Sequence, residues 1–270
     1  MNTKEINILG FGVMGRQIAA LFSLMGYRVK VWNRSIDESR KEQYRREVRL
    51  LQKRLCFVSD PGELSFTTEL STLCPILTYE AILEDISIKR SICRALPFPI
   101  DEVVFLTNTS SYMPQEISPS AIGLHFFNPI HALKFAEIVG VPPASGTEVQ
   151  NLLESLQSVG FEVIHTNSNR GYVGNFILFH EIAAALKLID EYQYKTHVID
   201  RVLAHMGRSV SLFDVMDIIG IDVVARILIN LAESDPSIYI SDRLKSAVAA
   251  GVLGRRNRMS IRSYLDESPK

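Results

Sequence analysis

Short apolar runs alternate with segments of helical periodicity along the first half of the chain. Residues 6–9 form an apolar run that ends in a glycine-rich turn, and residues 28–32 form a second run. Between these runs the apolar residues recur at helical spacing until Gly26: Ile18, Leu21, Phe22 and Met25. This order predicts a strand, a turn, a helix and a second strand, and therefore a parallel sheet with a crossover helix.

The next segment, residues 35–55, is highly charged but keeps a helical pattern. Its apolar positions recur at the spacing of one helix face: Tyr44, Val48, Leu51 and Leu55. We predict an amphipathic helix with a wide solvated face rather than a nucleic-acid patch. Further strands are predicted, with helical patterns between them, at residues 64–67, 76–79, 103–107, 121–126, 134–139 and 161–164.

Helical periodicity dominates after the polar stretch at residues 166–171. The first predicted helix of this part is long and is marked by Ile177, Ile182, Leu186 and Ile189. More helices are predicted near residues 198–206, 212–219 and 223–231. The sequence thus predicts an α/β protein with an N-terminal Rossmann-type doubly wound sheet, residues 1–168, and a C-terminal all-helical domain, residues 169–270.

Composition narrows the function classes. The 270 residues are 47% hydrophobic, enough for a substantial core, and the formal net charge of −1 argues against a nucleic-acid partner. We find no apolar run of membrane-spanning length and no signal-peptide pattern, so we expect no membrane association. The three cysteines, Cys56, Cys74 and Cys93, have no metal-ligand spacing, which favours free thiols in a reducing, cytoplasmic compartment.

The turn after the first predicted strand has the glycine spacing of a dinucleotide site. Gly10 permits the tight turn, Gly12 lets the backbone approach a pyrophosphate, and Gly15 allows close packing of helix and strand. Val13 and Met14 open the helix, whose N-terminus favours an anion. The alternative is a simple strand-to-helix turn, but the strand before it and the helix after it favour the cofactor site.

Cofactor choice depends on the end of the second strand. Sites that prefer NAD place a carboxylate there for the ribose hydroxyl groups, whereas this chain has Asn33 and Arg34. Asn33 is neutral, and the Arg34 guanidinium suits a 2′-phosphate, unless it only faces solvent. We therefore expect NAD or NADP, with NADP at least tolerated.

A histidine with a downstream carboxylate supplies the candidate chemistry. His125 follows an apolar strand, Asn128 and Pro129 shape the next turn, and Glu137 lies on the following strand. This is the composition of a general base with its orienting partner, although a lone histidine is more often a core residue. Together with a nicotinamide cofactor, it suggests a dehydrogenase that oxidises an alcohol.

Several motifs resemble, in their order, those of the L-3-hydroxyacyl-CoA dehydrogenase family. The resemblance covers essentially the whole chain and is strongest over residues 10–175. The histidine segment is its most specific part. The motifs are Gly10-Phe11-Gly12-Val13-Met14-Gly15, Glu80-Ala81-Ile82-Leu83-Glu84, Asn108-Thr109-Ser110-Ser111, Gly123-Leu124-His125-Phe126-Phe127-Asn128-Pro129 and Lys134-Phe135-Ala136-Glu137-Ile138-Val139.

The resemblance implies roles for individual residues. His125 matches the catalytic base of the family, and Glu137 matches its carboxylate partner. Ser110 and Asn175 match residues that contact the substrate oxygen, so the predicted catalytic set spans both domains.

It also implies binding residues around this set. Glu84 and Lys89 match residues near the nicotinamide ribose. We expect Asn108 to bind the cofactor and Asn128 to bind the substrate. His180 has no comparable partner in the sequence, and we expect no metal.

Departures from the family pattern leave the substrate open. Phe176 stands where the family has arginine, and residues 207–214 lack the family's proline. The resemblance implies an acyl-CoA thioester as the substrate and a homodimer as the assembly. The alternatives are a hydroxyacyl group on an acyl carrier protein, a free hydroxy acid, or a non-catalytic relative of the crystallin type.

Overall fold

The computed structural model describes residues 4–57, 60–141 and 146–267. The chain divides into two compact units, Met1–Tyr172 and Val173–Lys270. The boundary predicted between residues 168 and 169 lies a few residues earlier and stays a prediction. No helix in the described ranges is long and apolar enough to cross a membrane.

The first unit contains a mixed sheet. Its strands are β1 Glu5–Leu9, β2 Arg28–Trp32, β3 Leu64–Thr67, β4 Thr78–Glu80, β5 Phe105–Thr107, β6 Ile122–Phe126, β7 Phe135–Val139 and β8 Glu162–Thr166. They lie in the order β3-β2-β1-β4-β5-β6-β7-β8. The first six follow the 3-2-1-4-5-6 order of doubly wound folds, in which ligands bind where the order reverses, here between β1 and β4.

The parallel pairing predicted for the first two strands is confirmed, and the sheet departs from parallel pairing at one place. β7 runs antiparallel to β6, whereas the other neighbouring strands are parallel. Only a short connection with one helical turn joins β6 to β7, and a parallel crossover needs a longer one. The strand positions were otherwise predicted to within a few residues.

Both faces of the sheet are covered by apolar side chains. Ile8 and Leu9, adjacent in β1, pack into different core clusters, and Val31 and Trp32 in β2 do the same. Because successive residues of a strand point to opposite faces, this division places a core on each side of the sheet.

Side-chain caps fix where two of the covering helices begin. The helices of this unit are α1 Val13–Leu24, α2 Glu38–Leu55, α3 Ile86–Arg94, α4 Pro114–Ile117, α5 Ile130–Leu133 and α6 Gly146–Ser158. Asp37 accepts the N–H of Arg40 and Asp85 accepts the N–H of Ile88. The Asp37 cap makes α2 begin at Glu38, later than the predicted residue 35.

The second unit is helical, as predicted. Its helices are α7 Gly174–Tyr192, α8 Thr196–His205, α9 Leu212–Ile219, α10 Ile221–Ala232, α11 Asp242–Ala249 and α12 Ile261–Glu267. Ile182, Leu186 and Ile189 are buried in its core, but Ile177 is 63% exposed. Ile177 lies in the predicted helix but off its core face, because five residues turn a helix about 140° away from the Ile182 face.

Two helices of this unit were not predicted. α11 is eight residues long and buries Leu244 and Ala247, and α12 is seven residues long and buries Ile261 and Leu265. Two buried positions per helix are too few to establish a helical period in the sequence.

Candidate active site

The glycine turn after β1 is packed at two of its three glycines. A Cβ atom on Gly10 would lie 2.5 Å from the carbonyl oxygen of Ala81, and one on Gly15 would lie 2.1 Å from the carbonyl oxygen of Gly10. Gly10 also has a φ of +102°, which favours glycine. Among the described atoms, none lies within 4 Å of a Cβ built on Gly12, so the backbone is open to a ligand there.

The N-terminus of α1 follows this turn, where the strand order reverses between β1 and β4. N–H groups in the first helical turn, including those of Val13 and Met14, have no partner within the helix. The N-cap residue Gly12 provides no side-chain hydrogen bond. Free N–H groups, the helix dipole and the open Gly12 backbone together fit the pyrophosphate of a dinucleotide.

Asn33 connects the end of β2 to the glycine turn. Its Oδ1 accepts the N–H of Phe11 over 3.0 Å, and its Nδ2 donates to the Ser35 carbonyl oxygen over 2.6 Å. Arg34 is exposed beside it. The end of β2 therefore presents a cation and a neutral amide rather than a carboxylate.

His125 and Glu137 are direct neighbours across strands β6 and β7. The antiparallel register places them opposite each other, and His125 Nδ1 lies 3.4 Å from Glu137 Oε2, at the long end of the hydrogen-bond range. Both side chains are buried. The rings of Phe127 and Tyr172 pack edge-on against the imidazole, with centroids 4.3 and 5.6 Å away. With Nδ1 directed at the carboxylate, Nε2 is the nitrogen available to a substrate proton.

Glu84 organises the loop after β5. Its Oε1 accepts the hydroxyl groups of Thr109 and Ser111 and the backbone N–H groups of Ser110 and Ser111, at 2.7 to 3.0 Å. Burial raises the pKa of Glu84, but the charge of Lys89 and these hydrogen bonds outweigh it and lower the pKa to about 2. Ser110 is held through its backbone, so the hydroxyl group is not used in this network.

Lys89 lies inside the same unit, between two carboxylates. Its Nζ is 2.8 and 3.0 Å from the oxygens of Glu80 and 3.2 Å from Glu84 Oε2. Glu80 is fully buried and also accepts the Thr107 hydroxyl over 2.6 Å. Burial lowers the pKa of Lys89, but both carboxylates raise it, to about 12. Contact of Lys89 with the nicotinamide ribose stays a prediction.

Sequence reasoning did not assign a role to Glu80. The available signal was its place at the end of β4, nine residues before Lys89 and beside the glycine turn. A carboxylate at the buried end of a strand needs a partner, and a lysine in the next helix can provide one.

Asn108 joins the carboxyl ends of three strands. Its Oδ1 accepts the Tyr79 hydroxyl and the Phe126 N–H, both over 3.0 Å. The backbone N–H of Asn108 donates to the backbone carbonyl oxygen of Glu80. The structure therefore shows Asn108 holding β4, β5 and β6 together, and its contact with the cofactor stays a prediction.

Asn128 contacts a residue that sequence reasoning missed. Its Oδ1 accepts from Nε2 of Gln17 over 2.9 Å. Gln17 lies in α1 and is 5% exposed. A polar residue on the apolar face of α1 was the signal that could have identified it.

In the second unit, Asn175 lies in the first turn of α7 and is buried. Its contact with substrate stays a prediction. His180 was expected to have no comparable partner, which was wrong: its Nε2 lies 3.0 Å from Asp235 Oδ2, and its Nδ1 lies 2.6 Å from the Phe176 carbonyl oxygen. Within the described residues, no group of three or more His, Cys, Asp or Glu side chains could hold a metal ion.

Two family models together match nearly the whole chain. The model described as "3-hydroxyacyl-CoA dehydrogenase, NAD binding domain" matches residues 5–169, and "3-hydroxyacyl-CoA dehydrogenase, C-terminal domain" matches residues 171–264. These matches confirm the resemblance that the motifs indicate.

Individual relatives are distant but cover the chain almost completely. A mitochondrial hydroxyacyl-coenzyme A dehydrogenase from Rattus norvegicus is 24% identical over 97% of this chain and 91% of the relative. A 3-hydroxybutyryl-CoA dehydrogenase from Clostridioides difficile is 26% identical over 96% and 99%. The solved structure of (S)-3-hydroxybutyryl-CoA dehydrogenase from Ralstonia eutropha has a TM-score of 0.73 at 22% identity, covering 96% of this chain and 98% of that one. The predicted fold class is thereby confirmed.

Proposed function

Because the chain belongs to the 3-hydroxyacyl-CoA dehydrogenase family, we propose that it is an NAD-dependent oxidoreductase acting on the hydroxyl group of a 3-hydroxyacyl-CoA thioester. The observation that carries this proposal is the cross-strand pair of His125 and Glu137. The pair lies on the same sheet as the glycine turn, near the carboxyl end of β6. A positioned base and a dinucleotide site are the two parts that alcohol oxidation requires.

The chain's own residues handle the proton. The glycine turn and the N-terminus of α1 would hold NAD, which would supply the hydride acceptor for the carbon that carries the hydroxyl group. His125 takes the hydroxyl proton on Nε2, and in the reverse reaction it returns this proton to the carbonyl oxygen. Glu137 keeps the imidazole in the tautomer with Nδ1 protonated, and its charge stabilises the imidazolium that forms. Ser110 contacts the substrate oxygen through the hydroxyl group that Glu84 leaves free.

Reduction of acetoacetyl-CoA by NADH tests this function. His125→Gln should lower kcat by about 10²- to 10⁴-fold, the usual contribution of a general base. Glu137→Gln should lower it too, because the amide no longer stabilises the imidazolium. Binding of NADH, measured by fluorescence, should be unchanged in both. His197→Gln, on the exposed side of α8, is the matched control. Unchanged turnover in His125→Gln would contradict the proposal.

NADP is the second part of the cofactor proposal. The Asn33 amide is occupied by Phe11 and Ser35 and carries no charge to repel a phosphate, and Arg34 is exposed beside it. Arg34→Gln should lower kcat/KM for NADPH by about tenfold and leave NADH within about twofold, since a charged hydrogen bond contributes about 1.5–3 kcal/mol. Arg46→Gln, exposed on α2, should change neither value. An NADH preference that Arg34→Gln does not strengthen counts against NADP.

The carrier of the acyl group is proposed to be CoA. A hydroxyacyl group on an acyl carrier protein and a free hydroxy acid are the alternatives that remain from the sequence. Assays of the CoA, carrier-protein and free-acid forms at equal concentration separate them by kcat/KM. Cofactor binding without turnover of any form would favour the non-catalytic alternative. A cytoplasmic location stays a prediction.

A homodimer is proposed from an apolar face of the second unit. Val198 and Val202 on α8 and Met206 at its C-cap lie four residues apart and are 37%, 55% and 77% exposed. Exposed apolar stripes of this kind mark protein interfaces. Light scattering across a wide concentration range should give the mass of two chains, and Val202→Glu should give that of one. Lys187→Glu, on α7, is the control, and a wild-type monomer at every concentration would contradict the proposal.

A further inference from the structure

The side-chain amide of Gln17 joins helix α1 to the loop after the catalytic strand β6. Its Nε2 donates to Asn128 Oδ1 over 2.9 Å, and its Oε1 accepts the backbone N–H of Ile130 over 3.0 Å. Gln17 is 5% exposed, so both hydrogen bonds are shielded from water. These two contacts bring together segments that are 111 residues apart in the chain.

The backbone N–H of Ile130 determines how both amides are oriented. A backbone N–H can only donate, so it requires Oε1 of Gln17, and Nε2 of Gln17 must then face Asn128. A donor on Gln17 requires an acceptor, so Asn128 turns its Oδ1 toward Gln17. The Nδ2 group of Asn128 is left free, since it donates to no residue in the described parts of the chain.

We propose that Gln17 is a positioning residue that presents the NH₂ group of Asn128, rather than its carbonyl oxygen, to an oxygen of the thioester substrate. The inference rests on the proposed function and gives the Asn128 side chain a direction. Asn128 lies three residues after His125, at the same edge of the sheet. Both the thioester carbonyl and the C3 oxygen accept hydrogen bonds, so a donor at this place suits the substrate.

The position of Gln17 also connects the two halves of the site. Gln17 lies two residues after Gly15, in the helix whose N-terminus suits the pyrophosphate. A helix is a rigid element, so the group that binds the cofactor and the group that directs Asn128 keep a fixed separation. Gln17 thereby fixes the position of the Asn128 NH₂ group relative to the cofactor.

Gln17→Glu tests the orientation separately from packing. The new carboxylate has nearly the same shape and still accepts from Ile130, but it cannot donate to Asn128. The Asn128 amide should rotate by about 180° to donate to this carboxylate, which turns its oxygen toward the substrate. The KM for acetoacetyl-CoA should rise about tenfold or more, because two acceptors then face each other, while the Kd for NADH stays within about twofold.

Two further variants distinguish positioning from a structural role. Gln17→Met removes both hydrogen bonds but leaves the Asn128 amide free to adopt either orientation. Positioning predicts a smaller rise in KM for Gln17→Met than for Gln17→Glu, despite its larger loss of thermal stability. A structural role predicts that activity falls in the order of thermal stability. Gln43→Glu, exposed on α2, makes the same change of charge and should leave KM unchanged.

Calorimetric binding of acetoacetyl-CoA is measured beside turnover. Wild-type protein that binds the thioester without turnover would count against the dehydrogenase function, while weaker binding in Gln17→Glu but not in Gln43→Glu would still support the role of Gln17. Unchanged KM and Kd for acetoacetyl-CoA in Gln17→Glu would overturn that role. So would wild-type protein that does not bind the thioester.

Discussion

The side chain of Tyr172 occupies the space that a side chain at Gly123 would need. A Cβ atom on Gly123 would lie 2.7 Å from the Tyr172 hydroxyl oxygen and 3.2 Å from ring carbon Cζ. Gly123 precedes His125 by two residues in β6, so both positions project from the same face of the strand. The Tyr172 ring also packs edge-on against the imidazole of His125. The absence of a side chain at Gly123 therefore lets Tyr172 hold this imidazole in place.

Gly123→Ala should therefore weaken both folding and catalysis. The added methyl group must displace the Tyr172 ring, and overpacking of this kind costs about 1–3 kcal/mol in the free energy of unfolding. The displaced ring no longer supports His125, so kcat should fall as well. Urea denaturation and acetoacetyl-CoA turnover measure the two effects. Adding Tyr172→Phe removes the closest atom and should recover part of the lost stability; no recovery would show that the strain lies elsewhere.

Tyr172→Phe alone should stabilise the protein by about 1 kcal/mol. The Tyr172 hydroxyl is fully buried and has no hydrogen-bond partner among the described residues, and an unpaired buried polar group is costly. Burial, with Glu84 and Glu137 nearby, holds the Tyr172 pKa well above its ordinary value, so the ring carries no charge for catalysis. Turnover should stay within about twofold of wild type.

Tyr79→Phe is the matched comparison for this change. Tyr79 is equally buried, but its hydroxyl shares its one proton between two acceptors, Asn108 Oδ1 and the Leu124 carbonyl oxygen. Its removal leaves two buried acceptors without that donor and should destabilise the fold. Equal effects of the two substitutions on the denaturation midpoint would contradict the distinction.

The sequence predicted those parts of the site that depend on local patterns. The glycine turn follows from residue spacing within one strand, turn and helix, and His125 stands in a specific motif. Its partner Glu137 was identified as a downstream carboxylate that matches the family, and the short connection between β6 and β7 places it opposite His125. Local order along the chain is enough for such pairs.

Contacts between distant segments could not be predicted in the same way. Glu80 meets Lys89 inside the fold, and Gln17 meets Asn128 across the sheet edge. Each pairing depends on strand order and helix packing, which apolar periodicity does not specify. The antiparallel β7 was missed for the same reason, since strand direction depends on how the connection folds.

Acid should weaken the fold through Glu84. Its pKa is about 2 in the folded protein against an ordinary value of 4.5, so the ionised carboxylate stabilises the fold above pH 4.5. This contribution, of the order of 3 kcal/mol at 1.36 kcal/mol per pKa unit, is lost as the pH falls from 4.5 toward 2. Glu84→Gln lacks the titrating group. The difference in the free energy of unfolding between this variant and the wild type should therefore become smaller as the pH falls from 4.5 toward 2.

Urea denaturation at a series of pH values between 7 and 2.5 measures this difference in the free energy of unfolding, whose dependence on pH follows from the linkage relation. Glu102→Gln, an exposed carboxylate in the same unit, is the control and should run parallel to wild type. A difference for Glu84→Gln that stays constant down to the lowest pH would show that Glu84 is not held ionised by Lys89 and the Ser110 loop.

Lys89→Met should be the most destabilising of these substitutions. Lys89 is 1% exposed, and its ammonium neutralises Glu80, which is fully buried, and Glu84. Removing one partner of a buried ion pair leaves an uncompensated charge and costs about 3–5 kcal/mol. In Lys89→Met the charge of Glu80 is left without its partner. A second substitution, Glu80→Gln, removes that charge, so the double variant should be more stable than Lys89→Met alone. Lys53→Met, exposed on α2, is the control for loss of a lysine. If the double variant is less stable than Lys89→Met in urea denaturation, other groups compensate the charge of Glu80. The ion pair of Lys89 and Glu80 would then not be what stabilises the Glu84 loop.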